Sequence, residues 1–182
     1  MSLPNLISLA RLLAVPLVIW LVLKDQIELA FWLFVIAGLS DAVDGFLAKK
    51  FKMATRLGHY LDPLADKVLL VSIYIVLGRI GELPDWLVIL VVSRDLLIVG
   101  GVLLSYTLSH GFSTKPAAIS KINTAFQIVL AAAVLGDMAW GPWWDTQVPS
   151  IMYVCVAITT VASGANYLVQ WARGFSGEER IG

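Results

Sequence analysis

Four aspartates in one short segment, residues 41–67, carry the strongest chemical signal in the sequence. Asp41 and Asp44 are three residues apart, and Asp62 and Asp66 are four residues apart. On helices, each of these spacings places both carboxylates on one face. Four carboxylates that lie close together repel one another and are costly to desolvate. A divalent cation would remove both costs, so the segment predicts a metal site.

The chemistry of the ligands indicates which metal is expected. Oxygen ligands without His or Cys are typical of Mg²⁺ or Mn²⁺ rather than Zn²⁺. Four carboxylates can hold two such ions about 4 Å apart, the arrangement that stabilises attacking and leaving oxygens at phosphorus. The alternative is a hydrated loop in which the acids pair with neighbouring cations, namely Lys49, Lys50, Lys52 and Arg56.

The elements that must position these aspartates are strongly apolar. Of the 182 residues, 59% are hydrophobic and 14% are charged, and the mean hydropathy is +0.83. A soluble domain of this size cannot bury so much apolar surface. Six segments have about the length of a membrane-spanning helix: 7–24, 27–47, 61–79, 84–108, 119–137 and 149–172. We therefore expect an all-α integral membrane protein with six transmembrane helices and a single domain, 1–182.

The distribution of basic residues predicts the orientation. Nine Lys and Arg residues fall on the side of the two termini, and two, Lys24 and Arg79, fall on the other side. Because cytoplasmic loops are enriched in Lys and Arg, both termini and the aspartate segment are expected in the cytoplasm. No Arg- and Ser-rich transit segment is visible, which favours the inner membrane of a bacterial cell. The formal net charge is zero, which gives no reason to expect a nucleic-acid partner.

The aspartates belong to a longer pattern that resembles a known family. The sequence Asp41-x2-Asp44-Gly45-x2-Ala48-Lys49-x8-Gly58-x3-Asp62-x3-Asp66 resembles the CDP-alcohol phosphotransferase signature, D-x2-D-G-x2-A-R-x8-G-x3-D-x3-D. Length and six predicted helices agree with this family over essentially the whole chain. The departure is Lys49, where the family has Arg. Lysine keeps the charge but loses the two-pronged donor geometry, for which Lys50 or Arg56 is expected to compensate.

The resemblance implies a reaction and a role for each residue of the pattern. The enzyme would transfer the phosphatidyl group of CDP-diacylglycerol to a hydroxyl and release CMP. Asp41, Asp44 and Asp62 would hold the metals, and Asp66 would ligate the second metal and act as general base. The residues that would line the CDP site are Gly45, Ala48, Lys49, Arg56 and Gly58. The resemblance also implies a homodimer surrounded by membrane lipids.

Polar residues later in the chain predict a site for the acceptor. Arg94 and Asp95 lie inside an apolar segment, where an ionisable pair is expensive and functional by default. Lys121, Thr124 and Gln127 recur every three residues and predict one polar face of the fifth helix. Together with Lys115 and Arg94, Lys121 would bind a phosphate of the acceptor. The alternative is that Arg94 pairs with its neighbour and Lys115 contacts lipid headgroups.

Two subfamilies share the N-terminal pattern Pro4-Asn5-Leu-Ile-Ser8-x-x-Arg11 and differ in the acceptor. Ser-Arg-Asp at 93–95 and the run Ala-Ile-Thr-Thr-Val-Ala-Ser at 157–163 resemble eukaryotic-type cardiolipin synthases. This resemblance implies phosphatidylglycerol as acceptor and cardiolipin as product. Glycerol-3-phosphate, the acceptor of phosphatidylglycerophosphate synthases, is the alternative.

Two other classes place acids in membrane helices. Membrane prenyltransferases carry Asp-rich motifs over Mg²⁺, but usually twice and in a longer chain. Ion transporters keep acids near the middle of the bilayer, typically within repeats. The single aspartate set near one end of its helices, in a chain without a visible repeat, argues against both.

Overall fold

The described part of the protein is built from helices. The computed structural model describes the backbone of residues 3–51, 58–107, 118–141 and 147–175, and the side chains of 9–40, 67–101, 118–141 and 150–171. Six helices lie in these ranges: α1 (Leu3–Leu23), α2 (Ile27–Phe51), α3 (Gly58–Arg79), α4 (Asp85–Thr107), α5 (Ala118–Trp140) and α6 (Gln147–Phe175). Each predicted segment corresponds to one helix, with ends displaced by about one turn at most. The all-helical prediction is confirmed.

Helices α3 and α4 form a tight hairpin. After α3 ends, Gly81 adopts a left-handed φ of 89°, a conformation that glycine reaches without a steric cost. The Glu82 N–H then donates to the Leu77 carbonyl at 2.9 Å, which caps the end of the helix. The two helices approach closely, because a Cβ built on Gly78 would lie 2.7 Å from Val88 Cγ2. This hairpin brings α4 against the helix that carries Asp62 and Asp66.

The six helices close into a ring. Helix α1 contacts α2 and α3, α5 contacts α2 and α6, and α4 contacts α3 and α6. The order around the ring is therefore α1, α2, α5, α6, α4, α3, with α3 also touching α5. The interior contains fully buried side chains from several of these helices, namely Val18, Ile73, Tyr74, Leu77, Leu87, Val91, Leu130 and Leu135. Close van der Waals packing of these side chains stabilises the arrangement.

The outside of the ring is also apolar. Large hydrophobic side chains are exposed on several helices, among them Leu13, Ile89, Leu96, Ile151 and Ile158. Within the described side chains, Ala118–Trp140 and Ser150–Trp171 are long and apolar enough to cross a membrane, judged by length and composition. Leu9–Leu23 and Ile27–Ser40 are shorter apolar stretches. The six spans and the cytoplasmic termini stay predictions.

Candidate functional site

The aspartates of the motif lie on two continuous helices. Asp41 and Asp44 fall within α2, and Asp62 and Asp66 fall within α3, so both spacings are spacings along a helix. Helices α2 and α3 contact each other, and both contact α1. All four carboxylates lie outside the described side chains, so their geometry stays a prediction.

The other residues of the motif are placed only at the level of their helices. Gly45, Ala48 and Lys49 follow the first two aspartates on α2, and Gly58 is the first residue of α3. Arg56 lies outside the described residues, as does Lys115. Among the described side chains, no group of three or more His, Cys, Asp or Glu could hold a metal. The four motif carboxylates, which are all oxygen donors, fit Mg²⁺ or Mn²⁺ by their chemistry.

A buried ion cluster lies where α4 meets α3. Arg94 is 3% exposed and Asp95 is 1% exposed. The Arg94 Nη1 donates to Asp95 Oδ1 at 2.5 Å, and Lys67 Nζ donates to the same oxygen at 2.8 Å. Lys67 directly follows Asp66 on α3. The Asp95 carboxylate therefore connects the helix of the proposed general base to α4.

Two serines from different helices hold the other end of the Arg94 guanidinium. Its Nη2 donates to Ser120 Oγ on α5 at 2.6 Å, and it also donates to Ser163 Oγ on α6. The arginine stem packs beside α6 as well, because a Cβ on Gly164 would lie 3.7 Å from Arg94 Cγ. Within the described ranges, two buried atoms of the pair, Arg94 Nε and Asp95 Oδ2, have no hydrogen-bond partner.

A second polar layer continues along α5. Asn123 and Gln127 are both completely buried. Asn123 Oδ1 accepts hydrogen bonds from Thr159 Oγ1 at 2.9 Å and Thr160 Oγ1 at 2.8 Å, both on α6. The Tyr74 hydroxyl of α3 donates to the Gln127 backbone carbonyl at 3.1 Å. These contacts join α3, α5 and α6 inside the ring.

The predicted polar face of α5 is correct for Gln127, which is buried, but not for Lys121. Lys121 is exposed, and the Thr124 hydroxyl donates to the Ser120 carbonyl of its own helix at 3.1 Å. The polar side chains of α5 that face inward are Ser120, Asn123 and Gln127, which are separated by one step of three residues and one of four. A strict step of three drifts around a helix with 3.6 residues per turn, so it cannot follow one face for long.

The three residues that the sequence analysis predicted to bind the acceptor phosphate differ in their surroundings. Arg94 is buried and pairs with Asp95, which is the pairing that the sequence analysis gave as the alternative. Lys121 is exposed, and Lys115 lies outside the described residues. Binding of the acceptor phosphate by these three residues stays a prediction.

Sequence reasoning missed Ser120, Ser163 and Lys67 as members of this cluster. A usable signal was present, because Ser163 follows Thr159 by four residues and Thr160 by three in an apolar helix. Polar side chains inside such helices are expected to hydrogen-bond to a neighbouring helix. The partners could not be assigned without the packing of α4 against α6.

A groove lies beside Arg94 on the outer side of the α4 and α6 pair. Its volume is about 430 Å³, and its walls come from 93–101 of α4 and 164–171 of α6. Apart from Ser93 and Arg94, the lining is made by glycines and by apolar or aromatic side chains, including Leu97, Leu168 and Trp171. The groove can accept an elongated apolar group next to a buried arginine.

Comparison with known proteins gives the family. The protein from Oryza sativa subsp. japonica named CDP-diacylglycerol--glycerol-3-phosphate 3-phosphatidyltransferase 1, chloroplastic, is 36% identical over 94% of this chain and 57% of its own length. The Rattus norvegicus cardiolipin synthase (CMP-forming) is 35% identical over 91% of this chain and 60% of its own. The CDP-diacylglycerol--glycerol-3-phosphate 3-phosphatidyltransferase of Aquifex aeolicus is 36% identical over 69% of this chain and 71% of its own.

The chain therefore spans somewhat more than half the length of the rice and rat relatives that it matches. These relatives include both acceptor classes that the sequence analysis considered. A profile of the CDP-alcohol phosphatidyltransferase family matches residues 1–170, which is nearly the whole chain. The aspartate pattern on α2 and α3 lies within this match, and the chain belongs to the CDP-alcohol phosphatidyltransferase family.

Proposed function

We propose that the protein transfers the phosphatidyl group of CDP-diacylglycerol to phosphatidylglycerol, which gives cardiolipin and CMP. The observation that carries the reaction class is the complete aspartate pattern on two continuous helices that contact each other. Family membership and the names of relatives from rice and rat support the same class. Transfer to glycerol-3-phosphate, which would give phosphatidylglycerophosphate, is the second candidate.

The proposed roles follow the motif. Two ions of Mg²⁺ or Mn²⁺ would be held by the four carboxylates, those of Asp41, Asp44, Asp62 and Asp66. These ions would neutralise the negative charge of the diphosphate and of the departing CMP. The Asp66 carboxylate takes the proton of the acceptor hydroxyl while the hydroxyl oxygen forms a bond to the phosphorus of the phosphatidyl group. The bond between that phosphorus and the CMP oxygen breaks in the same displacement. The residues that line the CDP site are Gly45, Ala48, Lys49, Arg56 and Gly58.

The acceptor is proposed to lie on the α4, α5 and α6 side of the ring. Arg94, with Lys121 and Lys115, provides positive charge for its phosphate. The apolar groove beside Arg94 supports a lipid acceptor, because phosphatidylglycerol has acyl chains to place there. Glycerol-3-phosphate has no such group, so an acceptor that occupies this groove would be phosphatidylglycerol.

The protein is proposed to be a multi-pass membrane protein with six spans and both termini in the cytoplasm. Exposed leucine and isoleucine side chains around the ring support contact with lipid, which is as apolar as they are. The positive charges near the termini support the orientation. We propose a homodimer in a bacterial inner membrane, with the aspartates towards the cytoplasm.

One assay tests the reaction and the acceptor. Purified protein with Mg²⁺ or Mn²⁺ and CDP-diacylglycerol receives phosphatidylglycerol or glycerol-3-phosphate in separate reactions, and lipid products are identified by mass spectrometry. Cardiolipin with CMP supports the proposal, and phosphatidylglycerophosphate alone reverses the acceptor. Asp62→Asn should remove activity, whereas Asp85→Asn, at the exposed start of α4, is the matched control. Absence of CMP from both reactions would contradict the reaction class.

A further inference from the structure

The hydroxyl groups of Ser120 and Ser163 converge on one nitrogen of Arg94. Both serine oxygens accept from Arg94 Nη2, so both hydrogens of that nitrogen are used. Each serine keeps its own O–H hydrogen, and within the described part of the chain neither hydroxyl donates it. A hydroxyl whose oxygen accepts from a cation is polarised and becomes a stronger donor. The cluster therefore contains two strong O–H donors, from the half-buried Ser120 on α5 and the fully buried Ser163 on α6.

The surroundings of Ser120 are electropositive. Ser120 lies in the first turn of α5, where backbone N–H groups lack acceptors within the helix and the helix dipole is positive. This first turn contains no acidic residue, and Lys121 is the next residue along it. The Arg94 guanidinium adds its charge from α4. Asp95 neutralises part of the Arg94 charge, and the helix terminus and Lys121 supply the remaining positive potential, which favours an anion at the serines.

The remaining donor of the buried arginine points to the same kind of ligand. Arg94 is 3% exposed, and its Nε–H has no acceptor among the side chains and backbone that the structure describes. Because both hydrogens of Nη2 are used, the guanidinium cannot offer the usual two-pronged fork to a phosphate. The serine hydroxyls can replace the missing donors and carry the polarising effect of the charge towards the ligand. A phosphate oxygen, which only accepts hydrogen bonds, suits three donors of this kind.

We propose that Ser120 and Ser163 bind a phosphate oxygen of the acceptor through their hydroxyl hydrogens, with Arg94 behind them as the charge. The ligand class is a phosphate ester of glycerol, either a phosphodiester, as in phosphatidylglycerol, or a phosphomonoester, as in glycerol-3-phosphate. This assignment rests on the proposed function, and it adds two binding residues that the motif does not contain.

Steady-state kinetics of serine variants test the assignment. Ser163→Ala and Ser120→Ala should each raise the KM for the acceptor about tenfold or more, the effect of a lost hydrogen bond to a charged group. The KM for CDP-diacylglycerol should stay within about twofold of its original value. Ser163→Thr and Ser120→Thr keep the hydroxyl and should restore acceptor binding. Ser150→Ala is the matched control, because Ser150 is exposed near the start of α6, the helix that also carries Ser163.

The two acceptors distinguish the sources of the phosphate. An increase in KM with phosphatidylglycerol alone assigns the site to a phosphodiester, and an increase with glycerol-3-phosphate alone assigns it to a phosphomonoester. An unchanged KM for both acceptors in both alanine variants overturns the proposal, even where kcat or thermal stability falls. If Ser163→Ala does not yield folded protein, the half-buried Ser120 gives the same comparison through its alanine and threonine variants.

A measurement without turnover separates this proposal from the proposed function. Inorganic phosphate should raise the melting temperature of the purified protein more than chloride at equal ionic strength. The Ser120→Ala/Ser163→Ala double variant should lose this difference, and Ser150→Ala should keep it. Equal stabilisation of the double variant and the unchanged protein would overturn the phosphate site. If the double variant loses the stabilisation by phosphate, but the unchanged protein releases no CMP with either acceptor, the phosphate site is retained and the proposed reaction is rejected.

Discussion

Replacing Asp95 with asparagine removes the carboxylate that two cations share and keeps the size of the side chain. Asp95 Oδ1 accepts from Arg94 Nη1 at 2.5 Å and from Lys67 Nζ at 2.8 Å. The exposed fractions of these three side chains are 1% for Asp95, 3% for Arg94 and 19% for Lys67. The variant therefore leaves two cations in a buried place without their shared counter-charge.

The expected loss of stability follows from burial. Removing one partner of a buried ion pair costs about 3–5 kcal/mol, because an uncompensated charge remains. The lower part of this range applies here, since Lys67 is partly exposed and Arg94 keeps its two serine partners. We expect Asp95→Asn to lower the free energy of unfolding by about 3 kcal/mol. Adding Lys67→Met removes one of the two cations that share this carboxylate and should change the effect of Asp95→Asn by about 1–2 kcal/mol.

Reversible unfolding in mixed detergent micelles, followed by circular dichroism, measures these differences. The matched control is Asp85→Asn, since Asp85 is an exposed aspartate at the start of the same helix. Its loss of a favourable contact with the helix dipole should cost at most about 1 kcal/mol. If Asp95→Asn costs no more than this control, the carboxylate does not compensate the buried Arg94 and the partly exposed Lys67. Strict additivity of Lys67→Met and Asp95→Asn would refute their coupling as well.

Further predictions concern packing and catalysis. Gly78→Ala should destabilise the protein by about 1–3 kcal/mol, because the new methyl group meets Val88 at 2.7 Å, and the same unfolding assay measures it. Tyr74→Phe should cost about 1 kcal/mol through the lost hydrogen bond to the Gln127 carbonyl, again seen on unfolding. Asp66→Asn should abolish CMP release and leave CDP-lipid binding largely intact, as checked by turnover and binding assays; lost binding with residual turnover would contradict this role. Chelation by EDTA should stop CMP release, and added Mg²⁺ or Mn²⁺ should restore it.

The helices could be predicted from the sequence because each contains a long apolar run. Their ends are marked by residues with a local physical effect, such as Gly81 and Gly141, which both adopt a φ of 89°. The length of the apolar segments and the polar breaks between them were therefore enough to place α1 to α6. The order of the helices around the ring was not predictable, since an apolar helix can pack against any neighbour.

The residues around Arg94 show where sequence reasoning stops. Its pairing with adjacent Asp95 could be anticipated, because the two residues are neighbours in an apolar segment. The contacts with Ser120 and Ser163 join residues 26 and 69 positions away, and no local pattern specifies such distances. Lys121 was chosen for its charge, but the helical period places Ser120 and Asn123 towards the interior instead.

The ring order also has an evolutionary consequence. Helices α2 and α3 carry the aspartates, whereas α4, α5 and α6 supply the side chains around Arg94. Under the proposed function, the donor half and the acceptor half of the site belong to different arcs of one ring. Substitutions can then accumulate on the acceptor arc without altering the helices that perform the displacement. A lineage can exchange one alcohol for another in this way and keep its chemistry, as expected for relatives that carry two different enzyme names.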